Sequence, residues 1–260
     1  ERSSQFLSSL VLNSWNLDFP LAISPNGKVA SENYWHMTAD WVNQAGMDWE
    51  EIEGGFLLAP HQKISVDKLQ VEPDMSSAFA LASVAALKGE FLLTNYVESQ
   101  IQPDQVFLAI LDRMGCLVED HKKGLRIRRS PSLKPLQFDV GEAPDLFPVL
   151  AVLCSMCVGK SELYGAPHLA FKESHRLEKT AELLAQMGKS FRQSEDGLII
   201  EGSQKVRKAP IEFSCDQDHR MAMAVGLALF AGFDIRLKDH DVVKKSFPEY
   251  WDFLGVRWAE

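Results

Sequence analysis

The sequence repeats a pattern of about 70 residues, and this repeat limits the folds that the chain can adopt. Each copy has an apolar helical pattern, a glycine, a short strand, a turn and a second strand. The glycines Gly46, Gly115 and Gly188 are 69 and 73 residues apart. Each stands where a helix C-cap in the left-handed conformation favours glycine. The strands expected after the glycines cover residues 54–58, 124–127 and 197–200.

A second helix recurs in the same register and opens with small or acidic residues. Its copies begin at Ser3, Ser76, Asp145 and Asp218, which are 73, 69 and 73 residues apart. Serine and aspartate cap helix N-termini, and such termini expose N–H groups that attract anions. A repeat that directs several helix starts to one place would form an anion site, although capping alone explains any single one of them.

Length and charge exclude several classes of function. A chain of 260 residues with 46% hydrophobic content forms one large or two modest domains. No apolar run is long enough to cross a bilayer, and no basic segment with an apolar stretch opens the sequence, so we expect a cytoplasmic protein. The net charge of -9 opposes binding to nucleic acid or acidic membranes. Small anions can still bind to a local cluster of lysine and arginine.

The four cysteines give no metal signature. Cys154 and Cys157 have the spacing of a metal-binding pair, but they lie within an apolar run. A second cysteine pair and a histidine at zinc spacing are both missing from the sequence. The sequence therefore predicts buried core thiols and no metal site.

Two charged clusters suggest that the chain binds anions. Lys172 and Arg176 are four residues apart, so on a helix or helical turn they would share one face. Like charges repel there unless an anion or carboxylates lie between them, and a guanidinium can bind a phosphate with two hydrogen bonds. Asp218, His219 and Arg220 form a similar cluster before a wholly apolar helix. The alternative is that both clusters are solvated helix starts.

These clusters belong to a longer series of motifs that resembles the EPSP synthase (3-phosphoshikimate 1-carboxyvinyltransferase) family. The similarity covers essentially the whole chain. It implies an α/β enolpyruvyl transferase fold, in which inside-out α/β barrel domains are built from βαβαββ units of about 70 residues. The motifs that carry the resemblance are residues 3–6, 71–78, 143–151, 171–177, 218–223 and 245–250.

The resemblance implies a reaction of the shikimate pathway, which supplies chorismate and the aromatic amino acids. The enolpyruvyl group of phosphoenolpyruvate moves to the 5-hydroxyl of shikimate 3-phosphate, with release of phosphate, and the enzyme is a monomer without metal or organic cofactor. One proton reaches the methylene carbon and another leaves the hydroxyl, so two acid-base groups are needed. By the resemblance these are Asp145 and Glu173, and Lys172 lies between the substrates.

The resemblance also implies the binding residues. Those assigned to phosphoenolpyruvate are Gln5, Arg176, Arg220 and Lys245. Those assigned to shikimate 3-phosphate are Ser3, Ser4, Gln5, Ser31, Asp145, His168 and Lys172. Those assigned a supporting role are Tyr34, Asp218 and His219.

Some positions depart from the family pattern. His175 replaces a residue that is usually acidic, and His168 stands where the family commonly has asparagine or histidine. Pro73 replaces a glycine at the crossover between domains, where its fixed φ restricts a hinge. None of these changes removes a residue with a direct chemical role.

The repeat and the resemblance together predict the domain organisation. Residues 1–72 are expected to be the last unit of a split substrate-binding domain, and residues 73–260 a catalytic domain of three units without its first strand. We place the boundary near residues 71–74, where a predicted strand ends at Pro73. The family has a further N-terminal stretch that completes both anion sites, so this chain corresponds to the C-terminal three-fifths and is expected to be inactive alone.

Two alternatives to this function remain open. The chain could be a non-catalytic anion-binding or regulatory remnant, although a decayed copy has no chemical reason to keep all of its charged site residues. It could also belong to the sister reaction on UDP-N-acetylglucosamine. The Lys172–Glu173 and Asp218–Arg220 motifs favour the shikimate substrate.

Overall fold

The computed structural model describes residues 4–26, 32–97 and 101–258, and the chain divides into two compact units. One unit comprises residues 1–72 with 98–103, and the other comprises residues 73–97 with 104–260. Among the described residues, every helix is too short or too polar to cross a membrane.

The first unit packs two helices on a small antiparallel sheet. Its elements are α1 (Gln5–Asn13), β1 (Leu21–Ile23), α2 (Glu32–Gln44), β2 (Trp49–Ile52) and β3 (Gly55–Leu58). The strand order is β1-β3-β2. Aromatic rings fill the core, because Trp35 of α2 lies 5.8 Å from the ring centroid of Trp49 and 5.2 Å from that of Phe56.

The second unit contains the rest of the repeat. Its first copy has α3 (Met75–Leu87), β4 (Glu90–Leu93), α4 (Phe107–Arg113), β5 (Leu117–His121) and β6 (Gly124–Arg128). Its second copy has β7 (Gln137–Asp139), α5 (Phe147–Ser155), β8 (Gly159–Tyr164), α6 (Arg176–Gln186), β9 (Ser190–Gln193) and β10 (Leu198–Gly202). The third has β11 (Ile211–Phe213), α7 (His219–Phe230), β12 (Ile235–Leu237) and α8 (Tyr250–Leu254).

Helices α3, α5 and α7 form the core of the second unit and contact one another. Nearly all of their residues are buried, because these segments are apolar around their whole circumference. Small residues allow close packing: a Cβ at Gly226 would lie 2.5 Å from the hydroxyl oxygen of Tyr250 in α8. That hydroxyl donates a hydrogen bond of 2.9 Å to the carbonyl oxygen of Met223.

The sheets of the second unit lie around these helices and show the repeat in its strand order. The second copy forms the sheet β7-β8-β10-β9, in which β7 is parallel to β8 and β10 is antiparallel to both neighbours. In the described residues, the first copy contributes β4-β6-β5 and the third contributes the parallel pair β11-β12. The same arrangement is therefore present at three stages of completeness.

Several predictions from the repeat are confirmed. Gly46, Gly115 and Gly188 follow their helices with φ of 85°, 90° and 72°, the left-handed region that favours glycine. The strands predicted after them correspond to β3, β6 and β10. Cys154 and Cys157 are buried free thiols, and burial raises the pKa of Cys154 to about 12.

The strand predicted to end at Pro73 is wrong. Residues 59–74 are described in full and contain no strand, and the Val71 side chain is exposed. An extended segment becomes a strand only when it pairs with a neighbour. The corresponding segment of the second copy, β7, has β8 as its partner.

Candidate active site

The candidate site lies where the core helices of the second unit begin. Asp218 is the N-cap of α7, and its carboxylate accepts a 2.9 Å hydrogen bond from the backbone N–H of Arg220. This confirms the predicted cap. Asp74 is the N-cap of α3, which begins at Met75, so the predicted start at Ser76 is one residue late.

Asp145 does not open a helix as predicted. It lies in the short 3₁₀ turn Pro144–Leu146, and α5 begins only at Phe147. Proline at the start of both elements fits the first turn of a helix, where its missing N–H would have no partner. The Asp145 carboxylate binds two arginines, Arg176 and Arg220.

Arg176 is the most enclosed cation of the site, with only 1% of its side chain exposed. Its Nη1 donates to Asp145 Oδ1 at 2.6 Å, its Nη2 to Glu173 Oε2 at 2.9 Å and its Nε to Asp218 Oδ2 at 2.8 Å. Burial lowers the pKa of Arg176, but the surrounding carboxylates outweigh it and raise the pKa above its ordinary value. The guanidinium is therefore charged and fixed in orientation.

Arg220 is buried on the other side of Asp145. Its Nε and Nη2 each lie 3.1 Å from Asp145 Oδ2, and its Nη2 lies 3.8 Å from Asp74 Oδ2. Burial raises the pKa of Asp145, but Arg176 and Arg220 outweigh it and hold the pKa well below 3.8. Asp145 is thus an ionised carboxylate between two guanidinium groups.

Lys172 and Arg176 do not share a helix face, so that prediction is wrong. Lys172 has extended backbone after the 3₁₀ helix Pro167–Phe171, and α6 begins at Arg176. The side chain of His175 accepts a 3.3 Å hydrogen bond from the N–H of Glu178 and caps α6, which separates the two cations.

Lys172 and Glu173 nevertheless belong to the same charged cluster. Burial lowers the pKa of Lys172, Asp145 opposes this effect, and Arg176 adds to it. Glu173 bridges two cations, since its Oε1 lies 3.5 Å from Lys245 Nζ while its Oε2 accepts from Arg176.

The predicted histidines lie near the same charges. Burial lowers the pKa of His168, and Lys172 and Arg176 lower it further. Burial and Arg220 lower the pKa of His219, whose Nδ1 is buried and has no hydrogen-bond partner among the described residues. Both rings therefore favour the neutral form.

The structure adds two acids that the sequence interpretation missed. Asp104 is buried in the 3₁₀ helix Pro103–Val106, and its charge raises the pKa of Lys172 and Arg220. Asp74 pairs with Arg220. A signal for Asp74 was available, because it precedes Asp145 and Asp218 by 71 and 73 residues in the repeat register. The sequence gives no comparable signal for Asp104.

The remaining predicted residues belong to the first unit. Ser4 is buried at the N-cap of α1 without a side-chain cap hydrogen bond, Gln5 is exposed at the first position of that helix, and Tyr34 is half-buried in α2. Ser3 and Ser31 lie outside the described residues. The structure thus gathers the predicted residues of the second unit into one ionic network and places the others on the first unit.

This network can bind anions and transfer protons. Two buried guanidinium groups and two lysines face ionised carboxylates, so an anionic ligand has to compete with internal anions for the same donors. Carboxylates and a lysine with a shifted pKa lie beside the cations. No group of three potential metal ligands occurs in the described parts of the chain.

The fold defines the class of protein. The structure superposes on the enolpyruvyl transferase NikO from Streptomyces tendae with a TM-score of 0.67 over 95% of this chain and 57% of that one, and the identity of 16% shows the fold alone. It also superposes on EPSP synthase from Acinetobacter baumannii with a TM-score of 0.76 at 25% identity, covering 97% of this chain and 60% of that one. The chain has the enolpyruvyl transferase fold.

Sequence comparison shows the family. The family model described as EPSP synthase (3-phosphoshikimate 1-carboxyvinyltransferase) matches residues 1–254. The enzyme of that name from Syntrophobacter fumaroxidans is 33% identical over 96% of this chain and 60% of its own length. The one from Methanocorpusculum labreanum is 35% identical over 95% of this chain and 58% of its own length. The chain belongs to the EPSP synthase family, and it spans about 60% of the length of these curated relatives.

Proposed function

We propose that this chain is part of an enzyme that transfers the enolpyruvyl group of phosphoenolpyruvate to the 5-hydroxyl of shikimate 3-phosphate, giving EPSP and phosphate. The observation that carries the proposal is the position of Asp145 between Arg176 and Arg220, with Glu173 on the same Arg176. This geometry joins an anion site to two carboxylates that can exchange protons. The names of the relatives state the same transfer.

In the proposed phosphoenolpyruvate site, Arg176, Arg220 and Lys245 bind the phosphate and carboxylate groups, together with Gln5. A guanidinium binds such groups with charge-assisted hydrogen bonds, as it binds the side-chain carboxylates here. Glu173 is partly exposed and held by Arg176 and by the exposed Lys245, so an incoming anion replaces it more readily than it replaces the buried Asp218.

The same ion pairs link substrate binding to proton transfer. Asp145 is a poor base while both guanidinium groups hold its pKa low. When an anionic substrate draws Arg176 and Arg220 towards itself, the pKa of Asp145 rises and the carboxylate can accept a proton from the attacking hydroxyl. Glu173, released from Arg176, exchanges the proton at the methylene carbon. Lys172 stabilises the developing negative charge.

The residues proposed for shikimate 3-phosphate are divided between the units. His168, Lys172 and Asp145 lie in the second unit, which we propose as the catalytic domain. Asp218 has a visible supporting role, because it caps α7 and fixes the Nε edge of Arg176. The proposed residues on the first unit, the substrate-binding domain, are Ser3, Ser4, Gln5, Ser31 and Tyr34.

Phosphate release tests the proposed function. The chain is mixed with shikimate 3-phosphate and phosphoenolpyruvate, alone and with the remaining part of a full-length relative supplied as a second polypeptide. We expect turnover in the reconstituted form and its loss in Asp145→Asn. UDP-N-acetylglucosamine in place of shikimate 3-phosphate should release no phosphate. No turnover in the reconstituted form would count against the proposal.

A further inference from the structure

Asp74 has no part in the proposed reaction, yet it occupies the same place in the repeat as two residues that do. It lies 71 residues before Asp145 and 73 before Asp218, and like Asp218 it caps a core helix. Each of the three acids pairs with a buried arginine. Arg176 pairs with Asp145 and Asp218, and Arg220 pairs with Asp145 and Asp74.

The Asp74 carboxylate is fixed by its own helix. Its Oδ1 accepts from the backbone N–H groups of Ser76 and Ser77 at 2.9 and 3.1 Å and from the Ser76 hydroxyl at 2.5 Å. Its Oδ2 accepts from the Ser77 hydroxyl at 2.7 Å. Burial raises the pKa of Asp74, but Arg220 and these hydrogen bonds outweigh it and lower the pKa. The negative charge therefore stays in place whatever Arg220 binds.

The contact between Asp74 and Arg220 is electrostatic. Asp74 Oδ2 lies 3.8 Å from Arg220 Nη2, which is beyond hydrogen-bond distance. Asp145 Oδ2 accepts from Nε and lies 3.1 Å from Nη2, and the remaining Nη1 lies 3.7 Å from Met223 Sδ. An anion that binds Arg220 has no hydrogen bond to Asp74 to replace, but it approaches a fixed negative charge.

We propose that Asp74 is a positioning residue that acts through Arg220: it attracts the guanidinium on its Nη2 side and weakens the affinity of Arg220 for an anion. This inference rests on the proposed role of Arg220 as an anion ligand. A unit charge about 6 Å from a bound anion, at an effective dielectric constant of about 40 to 80, changes affinity about three- to tenfold. Asp74 thereby favours release of the phosphate that the reaction leaves behind.

Calorimetric titration of the 260-residue chain with inorganic phosphate, and separately with phosphoenolpyruvate, tests the inference. In Asp74→Asn the amide oxygen can still accept the cap hydrogen bonds but the charge is lost. We expect phosphate to bind about three- to tenfold more tightly to this variant. The same substitution in an Arg220→Met background should leave phosphate affinity unchanged, because the residue through which Asp74 acts is gone.

Asp241→Asn is the matched control. It changes the net charge equally at an exposed carboxylate that pairs with Lys244. We expect no change in phosphate affinity. Asp74→Ala, which removes the cap as well as the charge, should lower the denaturation midpoint yet raise phosphate affinity as Asp74→Asn does, which separates the electrostatic effect from capping.

Three results would overturn the inference: unchanged or weaker phosphate binding in Asp74→Asn, an equal gain in Asp241→Asn, or no detectable phosphate binding in either the wild-type chain or Asp74→Asn. Phosphate as the probe keeps the outcome separate from enolpyruvyl transfer. Tighter phosphate binding in Asp74→Asn, with no turnover in the reconstituted enzyme, would support the role of Asp74 and contradict the proposed reaction.

Discussion

Arg176 shows how a single buried side chain can neutralise several charges. All of its donor edges are occupied, by Asp145, Glu173 and Asp218. Such a network favours one arrangement of the site more than it adds stability, because the desolvation of buried ions offsets much of their attraction. The informative experiments are therefore those that remove one partner and leave the others without compensation.

Substitution of Arg176 by methionine should strongly destabilise the second unit. It would leave the buried Asp218 and Asp145 facing each other without the cation between them, and loss of one partner of a buried pair costs about 3–5 kcal/mol. Urea denaturation followed by circular dichroism gives the change in the free energy of unfolding. Arg257→Met, at an exposed ion pair with Asp252, is the control and should change it by less than about 1 kcal/mol. Similar values for the two variants would contradict this account of Arg176.

Arg220→Ala should weaken phosphoenolpyruvate binding far more than shikimate 3-phosphate binding. The loss of one cation from a desolvated anion site costs about 2–5 kcal/mol, whereas the proposed shikimate 3-phosphate residues do not include Arg220. Calorimetry on the reconstituted enzyme with each substrate in turn measures the difference. Equal losses for both substrates would exclude the proposed division of the anion sites.

At the scale of elements, the packing of α7 against α8 depends on Gly226. A Cβ there would lie 2.5 Å from the Tyr250 hydroxyl oxygen and 2.7 Å from Tyr250 Cε1, so Gly226→Ala forces the ring to move. Overpacking of this kind costs about 1–3 kcal/mol, which exceeds the gain of about 1 kcal/mol from alanine in a helix. We expect a lower urea midpoint for Gly226→Ala.

A double-mutant cycle with Tyr250→Phe checks the cause. The single change removes the hydrogen bond to the Met223 carbonyl oxygen and should cost about 1 kcal/mol. In Gly226→Ala it also removes the atom nearest to the new methyl group, so the combined loss should be smaller than the sum of the two. Strict additivity would show that the clash is not with the hydroxyl.

The periodic elements were the part of the fold that the sequence could predict. The glycine C-caps and the strands after them follow from local backbone preferences, which act within a few residues. Lys172 was misplaced because the predicted face assumed one helix, whereas His175 caps α6 and starts it anew. The start of α3 was shifted because Ser76 and Ser77 look like caps, yet both donate hydrogen bonds to the Asp74 carboxylate.

The pairing within the site could be predicted only in part. The repeat indicated that acids and cations would gather at helix starts, but it could not show which arginine binds which carboxylate. Asp104 escaped notice because its importance comes from burial and from charges distant in sequence. The assignment of roles to Ser3 and Ser31 stays a prediction, since they lie outside the described residues.

At the scale of the whole molecule, the ionic network should make the chain sensitive to acid. The pKa values of Asp145 and Asp218 lie below their ordinary value of 3.8, because Arg176 outweighs the effect of burial. A carboxyl group whose pKa is lower in the folded state contributes stability above its unfolded pKa and loses it as the pH falls through the folded value. We therefore expect the free energy of unfolding to fall as the pH drops below about 4.

Urea denaturation at a series of pH values between 7 and 2 tests this expectation. Asp218→Asn cannot titrate at that position, so its free energy of unfolding should decrease less steeply below about pH 4 than that of the wild-type chain, although it starts from a lower value. Parallel curves for the two proteins would mean that Asp218 does not contribute to the acid sensitivity.

The equivalent caps Asp218, Asp145 and Asp74 have side chains that are 0%, 23% and 46% exposed. A triplicated ancestor would begin with three identical positions, and here the same residue type has come to serve in three environments. Because each copy carries its own helix start, a change at one position can alter chemistry there without dismantling the other two. Triplication gives such a scaffold spare positions on which new specificity can arise while the rest of the domain still folds.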